Sequence, residues 1–145
     1  DPRKLPARKL MRAAIAVLER IKMLPRLPLD RYLGVMRAAD VVLDTIHFNG
    51  GNTTMQSLVL GQPIVTLPTD MMRGRVTLAP LTQMGMRAEL ETKSADAYVE
   101  RVVQLGRDRD RATDLRQRLL AAAPSLIDSV TAPKALERLI LEAPD

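Results

Sequence analysis

Short apolar runs of the kind found in strands alternate with helical patterns along much of this chain, and this alternation constrains its fold most. Val41 to Leu43 and the segment between Pro63 and Pro68 are continuous apolar, β-branched runs, which are typical of strands buried on both faces. Arg20 to Leu24 alternates before Pro25 and predicts a shorter strand, and Arg87 to Leu90 predicts a weak one. Helical patterns between these runs predict a parallel sheet with crossover helices, an α/β fold.

The helical patterns extend from the beginning of the chain to its end. Pro80 lies inside one of them, and we expect it to kink that helix or to reset its start. Gly61 is expected to end another helix as its C-cap. The predicted helices are Leu5–Glu19, Arg31–Ala39, the segment after Asn52 that closes at Gly61, Arg75–Met84, Ser94–Leu105, Asp110–Ala122 and Ala132–Leu141.

Composition excludes several classes of protein. The 145 residues suit one domain. The lack of Cys excludes a disulfide scaffold, and a single His, His47, excludes a His-rich metal site. No apolar run has the roughly 18 residues of a membrane span. The net charge of +5 is spread along the chain and aromatic residues are scarce, which disfavours a nucleic-acid binder. We expect a cytoplasmic protein with no membrane, nucleic-acid or metal partner.

The loop after the second predicted strand carries the residues best suited to bind a ligand. In parallel sheets ligands bind at the carboxyl ends of strands, where the loops Pro25–Asp30, Thr45–Thr54 and Pro68–Arg75 are expected to lie. Phe48 to Thr54 combines two glycines with hydroxyl side chains at the start of a helix, where unpaired amides favour a diphosphate. A plain strand-to-helix turn capped by Asn52 or Thr53 explains the same pattern equally well.

A succession of motifs carries a family resemblance that extends from Arg20 to about Ala143. The segments are Arg20–Leu33, Ala39–Thr45, Phe48–Thr54, Gly61–Pro68, Arg73–Thr77 and Met84–Gly85. Together they resemble the C-terminal donor-binding domain of the O-GlcNAc transferase/SPINDLY family, with the bacterial and HMW1C-type members the most similar in style. The resemblance implies the C-terminal Rossmann-like half of a GT-B glycosyltransferase. It also implies inverting transfer of GlcNAc or glucose from a UDP-sugar to a protein Ser, Thr or Asn.

The resemblance also implies site residues. The segment that holds the donor diphosphate in the family is matched by Gly50, Gly51, Asn52 and Thr53. Gln56 matches an acidic position that binds the ribose. The positions where the family contacts the base and ribose are occupied by Leu27, Leu29 and Tyr32. Gln56 keeps an acceptor but lacks the charge, and Leu29 replaces a Lys. From the residues themselves, Thr54 adds a hydroxyl and Arg26 a charge for the anionic donor.

Other polar residues have two interpretations. His47 is either a general base or, more often for a lone loop His, structural. Arg73 and Arg75 follow the third predicted strand and suit either a phosphate or surface carboxylates.

The resemblance implies that residues 1–145 are the C-terminal nucleotide-sugar-binding part of a longer enzyme. An N-terminal domain, for example of helical repeats, would then supply the acceptor side, so we expect the isolated chain to be inactive. An unpaired Arg20–Leu24 strand would favour self-association. The alternative is a non-catalytic nucleotide-sugar-binding or interaction module, which Gln56 favours.

Overall fold

A computed structural model describes residues 7–127 and 130–142 of the chain. The chain consists of two compact units, residues 1–32 and residues 33–145. Helix α1 (Ala7–Leu18) lies in the first unit and confirms the first predicted helix, whose Leu5 and Pro6 fall outside the described residues. Helix α2 (Leu29–Ala38) crosses the boundary between the units.

The strand predicted at Arg20 to Leu24 is wrong. This segment is irregular and exposed, with Met23 showing 89% of its surface. An isolated strand needs a neighbour for its backbone groups, and no described residue pairs with this segment as a strand. Because this strand does not form, it presents no unpaired edge, and the self-association expected from that edge has no structural support.

The second unit contains a small parallel sheet. Strand β1 (Val42–Leu43) pairs with β2 (Ile64–Val65), with Val42 opposite Ile64 and Leu43 opposite Val65. Helix α3 (Asn52–Val59) forms the crossover between them. Beyond β2, a single parallel bridge joins Thr66 to Glu91 on the edge away from β1.

The weak strand predicted at Arg87 to Leu90 is also wrong, because these residues form helix α5 (Arg87–Leu90). Arg87 Nε lies 2.6 Å from Glu91 Oε2, an i,i+4 pair that stabilises a helical turn. The pair lowers the pKa of the Glu91 carboxyl, chiefly through the hydrogen bond from Arg87. The end of α5 contacts the sheet, since the Leu90 carbonyl accepts from Thr66 N–H at 3.0 Å and Glu91 forms the bridge with Thr66.

Most of the remaining described residues are helical. A 3₁₀ turn covers Met72–Gly74, and Pro80 is the third residue of α4, where a missing N–H costs no hydrogen bond, so the proline resets the helix start as expected. None of the described helices is long and apolar enough to cross a bilayer. The other helices are α4 (Leu78–Gln83), α6 (Ala95–Arg107), α7 (Arg109–Ala122), α8 (Pro124–Ile127) and α9 (Thr131–Leu141).

Leucines dominate the core of the second unit. They come from α3, from α4 and α5, and from the long helices α6 and α7, and they pack with Ile64 and Val65 of the sheet. Each fully buried leucine contributes about 1.5–3 kcal/mol of hydrophobic free energy. The leucine side chains with almost no exposure are Leu58, Leu81, Leu90, Leu105, Leu115 and Leu119.

Glu89 connects α5 to the long helices through arginines. Its carboxylate accepts from Arg118 Nη1 at 3.2 Å and from Arg111 Nη2 at 3.4 Å, and its carbonyl accepts from Arg101. The hydrogen bond from Arg118 is the largest cause that lowers the pKa of Glu89, while partial burial opposes it. The folded pKa therefore lies below the unfolded one, so this stabilisation is complete above the unfolded pKa and is lost as the pH falls through the folded pKa.

Glu89→Gln should lower the free energy of unfolding by up to about 1 kcal/mol at pH 7, the range of partly exposed ion pairs. The same substitution should have almost no effect below the folded pKa, where the wild-type carboxyl is already protonated. Urea denaturation of both proteins at pH 7 and at a pH low enough to protonate Glu89 in the folded protein measures the difference. Glu100→Gln, an exposed change on α6, is the control. An equal loss for Glu89→Gln at both pH values would contradict the account.

Candidate functional site at the carboxyl rim of the sheet

The loops that follow β1 and β2 meet at one edge of the sheet, here named the carboxyl rim, and Asp44 connects them. This residue comes directly after β1 and is 4% exposed. Its Oδ2 accepts from the hydroxyls of Thr66 at 2.8 Å and Thr77 at 2.7 Å. Its Oδ1 accepts from the backbone N–H of Gly50 at 3.3 Å. One buried carboxylate thus binds three separate segments of the rim.

Asn49 forms a second connection between the same loops. It is 3% exposed, its Nδ2 donates to Thr45 O at 2.9 Å, and its backbone N–H donates to Arg73 O at 2.7 Å. Its Oδ1 lies 3.5 Å from the backbone nitrogen of Thr77. A side chain with these partners is fixed, so the Asn49 backbone enters the glycine turn in one orientation.

Gly50 is held through both of the peptide units that flank its Cα. Its N–H donates to Asp44, and its carbonyl accepts from the Thr54 hydroxyl at 2.7 Å. A Cβ at this position would collide with Thr53 Oγ1 and lie 3.1 Å from Thr54 Oγ1. Only glycine fits without displacing the start of α3.

The N-terminus of α3 is open. Gly51 is its N-cap and no side chain caps it, so the predicted capping by Asn52 or Thr53 is wrong. Both residues lie inside the helix, Asn52 one position and Thr53 two positions too late to cap it. No described group accepts a hydrogen bond from the backbone N–H of Gly51, Asn52 or Thr53, and all three residues are exposed. Three consecutive donors therefore face solvent at the positive end of a helix.

The remaining predicted residues of this loop have different environments. Gln56 is half-buried on α3, one turn after Asn52. Thr54 is 1% exposed and uses its hydroxyl on Gly50, so this hydroxyl is engaged inside the loop. His47, Arg73 and Arg75 are exposed near the same loops.

Arg26, Leu27 and Tyr32 belong to the first unit and are brought together there. With Pro28 and Leu29 they line an open cavity of about 540 Å³. Leu27 and Tyr32 are half-buried and Arg26 is exposed. The predicted site residues therefore form two groups, one in each unit.

The sequence reasoning did not assign a role to the polar residues that fix the rim. Asp44, Thr66 and Thr77 lie within the motifs that carry the resemblance, yet only the structure connects them. Tyr98 of α6 adds a contact, since its hydroxyl donates to Asp44 O at 3.0 Å. Burial, with a smaller effect from the Asp44 charge, raises the pKa of Tyr98. A carboxylate directly after one predicted strand, with Thr after the next, was the available signal.

In the described part of the chain, no three or more His, Asp or Glu side chains lie together in a group that could hold a metal ion. The donors at the carboxyl rim are backbone amides and polar side chains, with the exposed His47, Arg73 and Arg75 near the same loops. Such donors bind an anion through hydrogen bonds and the helix dipole.

Comparison with known proteins shows the family of the chain. Residues 14–129 match the profile of Glycosyl transferase family 41, which covers most of the chain. The chain belongs to this family. The resemblance to O-GlcNAc transferase and SPINDLY proteins is thereby confirmed.

Two curated relatives show the extent of the similarity. A UDP-N-acetylglucosamine--peptide N-acetylglucosaminyltransferase of Caenorhabditis elegans is 38% identical over 87 residues, which are 60% of this chain and 8% of that protein. The probable SPINDLY protein of Petunia hybrida is 30% identical over 122 residues, which are 82% of this chain and 13% of that protein. The chain thus spans about a tenth of the length of these relatives.

A solved structure gives the fold. The O-GlcNAc transferase mutant K341M of Thermobaculum terrenum aligns with a TM-score of 0.67 at 30% identity, over 83% of this chain and 26% of that one. The predicted fold class is confirmed: the small parallel sheet and its helices correspond to the C-terminal Rossmann-like half of a GT-B glycosyltransferase.

Proposed function

We propose that this chain forms the donor-binding part of an inverting glycosyltransferase that moves a sugar, GlcNAc or glucose, from a UDP-sugar to a protein side chain. The observation that carries the proposal is the open start of α3, where the N–H groups of Gly51, Asn52 and Thr53 have no described acceptor. Membership of a glycosyltransferase family supports a sugar nucleotide as the anion that these amides bind.

In this mechanism the amides act on the leaving group. As the acceptor displaces the diphosphate at the anomeric carbon, negative charge grows on the phosphate oxygens. Donors that are already oriented stabilise that charge without reorganising during the reaction. A Cβ built on Gly51 meets nothing within 4 Å, so the space above these amides is available to a phosphate group.

The nucleoside would be bound by the other predicted residues. Tyr32 offers a ring face for the base, Leu27 an apolar contact and Arg26 a positive charge, all around one cavity of the first unit. Gln56 would accept from a ribose hydroxyl through its side-chain carbonyl. It supplies this contact without the charge of the acidic residue that the family resemblance implies, so we expect weaker ribose binding.

Gln56 also favours a second candidate function, a non-catalytic nucleotide-sugar-binding or interaction module. Both functions include donor binding, so a binding measurement does not separate them. Transfer to a protein acceptor does, when the intact protein is compared with its Gln56→Glu variant. Transfer by the wild-type protein supports the enzyme. Restoration of transfer only in Gln56→Glu, or no transfer in either, supports the module.

Several finer features belong to the same proposal. A metal-free donor site fits the amide donors at α3, which supply the positive potential that a cation would otherwise provide. The Gly51-Asn52-Thr53 order supports the bacterial, HMW1C-like branch, and we place the protein in the cytoplasm with a protein acceptor. An upstream half would bind that acceptor.

The direct test of donor binding is calorimetric titration of the 145-residue chain with UDP and UMP. Because unpaired amides form charge-assisted hydrogen bonds worth about 1.5–3 kcal/mol each, we expect UDP to bind about tenfold more tightly than UMP, or better. UDP and UMP of equal affinity, or no UDP binding, would overturn the proposal.

A further inference from the structure

We infer that Asp44 is a positioning residue that decides which backbone amides of the glycine turn face the donor diphosphate. This inference rests on the proposed function. Asp44 is buried beneath the turn, and both its carboxylate oxygens are engaged by neutral donors. No described Lys or Arg lies within ion-pair distance of it, unlike Glu89 and Glu91. Its hydrogen bonds therefore go to the walls of the site and not to a surface cation.

The hydrogen bond from Gly50 to Asp44 divides the amides of the turn into two sets, the engaged N–H of Gly50 and the three N–H groups that follow it. Its N–H points inward to Asp44 Oδ1, and its carbonyl accepts from Thr54. The following three amides have no described acceptor. If the Asn49–Gly50 peptide rotated, the Gly50 N–H would lose Asp44. The adjoining Gly50–Gly51 peptide, whose carbonyl accepts from Thr54 and which carries the Gly51 N–H, would then change its orientation as well. Asp44 thus sets the direction of donors that it does not itself contact.

Thr66 and Thr77 extend this control to the second loop of the rim. Their hydroxyls both donate to Asp44 Oδ2 from positions 22 and 33 residues further along the chain. The turn, the end of β2 and the start of α4 are therefore fixed relative to one another before any ligand binds. A binding loop that is already ordered loses less entropy on binding, so its affinity is higher.

The test compares UDP with uridine in the Asp44→Asn variant of the 145-residue chain. Asn keeps the size of Asp44 but replaces one acceptor oxygen with an NH₂ donor. We expect UDP affinity to fall about tenfold, which corresponds to one charge-assisted hydrogen bond. Uridine, which lacks phosphates, should bind within about twofold of wild type by NMR titration. The ratio of the two affinities reports the diphosphate contribution separately from general loss of structure.

Two further variants keep the inference falsifiable. Leu105→Ala removes a buried core side chain that lines a cavity with Asp40 and Gln62, at the amino ends of the strands. It should lower the melting temperature and leave the ratio of the UDP and uridine affinities unchanged.

Thr77→Val removes one donor to Asp44 and should shift this ratio of affinities in the same direction as Asp44→Asn, by a smaller factor. It replaces Asp44→Asn in the test if that variant does not fold.

The outcomes separate the two proposals. A wild-type chain that binds no UDP overturns the proposed function and, with it, the role of Asp44 in diphosphate binding. A wild-type chain that binds UDP, with an unchanged ratio in the folded Asp44 or Thr77 variant, overturns only the inference about Asp44. An equal shift in Leu105→Ala also overturns it, since the effect would then be one of general stability.

Discussion

Gly50→Ala should lower the affinity of the chain for UDP by a factor of ten to about one hundred. The new Cβ would collide with Thr53 Oγ1 and press on Thr54 Oγ1, so these side chains must shift and the hydrogen bond from Thr54 to the Gly50 carbonyl is disturbed. A misplacement of about 1 Å in a binding or catalytic group can cost a factor of a hundred. Overpacking should also cost about 1–3 kcal/mol of stability. Calorimetric titration with UDP and urea denaturation measure the two effects.

Gly106→Ala provides the matched control for this experiment. Gly106 is an exposed residue of α6, and a Cβ there meets nothing within 4 Å. Because alanine is favoured over glycine within helices by about 0.5–1 kcal/mol, Gly106→Ala should be slightly more stable and bind UDP as the wild type does. If Gly50→Ala bound UDP equally well, the glycine turn would not be the diphosphate site.

Gly61→Ala should be among the most destabilising small substitutions in the second unit. Gly61 has φ +74°, and its Cβ would lie 2.6 Å from Leu120 Cγ. The left-handed backbone costs a non-glycine residue about 1–2 kcal/mol, and overpacking against Leu120 adds about 1–3 kcal/mol. We expect a total loss of about 2–5 kcal/mol in the free energy of unfolding, measured by urea denaturation.

Gly85→Ala separates the two contributions. Gly85 has a similar φ of +69°, but a Cβ there meets nothing within 4 Å. It should therefore show the backbone strain alone and lose only about 1–2 kcal/mol. Equal losses at both positions would show that the contact with Leu120 contributes nothing, contrary to this account.

The glycine turn and its neighbours could be predicted because their signals are local. Val41 to Leu43 and the segment after Pro63 predicted the two strands, which the structure confirms in shortened form. The expected burial on both faces is correct for β2 and wrong for β1, where Leu43 is 57% exposed. Gly61 was expected to close α3, and its positive φ directly after Leu60 fits that role. In each case the residue types within a few positions determine the conformation.

The errors occurred where local patterns were not decisive. Arg20 to Leu24 alternates as a strand does, yet a strand forms only with a partner, and the described residues supply none. At Arg87 to Leu90 the i,i+4 pair with Glu91 and the arginines around Glu89 favour a helix that apolar alternation did not reveal.

The network around Asp44 could not be predicted for a different reason. Its partners Thr66 and Thr77 are distant in sequence, and hydroxyl groups have no periodicity that marks a contact. Asp44 and Thr66 directly follow the paired strands β1 and β2, which becomes informative only when the register of the strands is known. Thr77 lies at the start of α4, outside the sheet. Tyr98, from α6, is less predictable still.

The most direct test of the donor-binding account is an NMR titration of the ¹⁵N-labelled chain with UDP, which follows each backbone amide separately. The largest shifts are predicted at Gly51, Asn52 and Thr53, whose N–H groups would gain phosphate acceptors, with a smaller shift at Gly50. UDP binding that perturbs other residues and leaves these three amides unchanged would contradict the account.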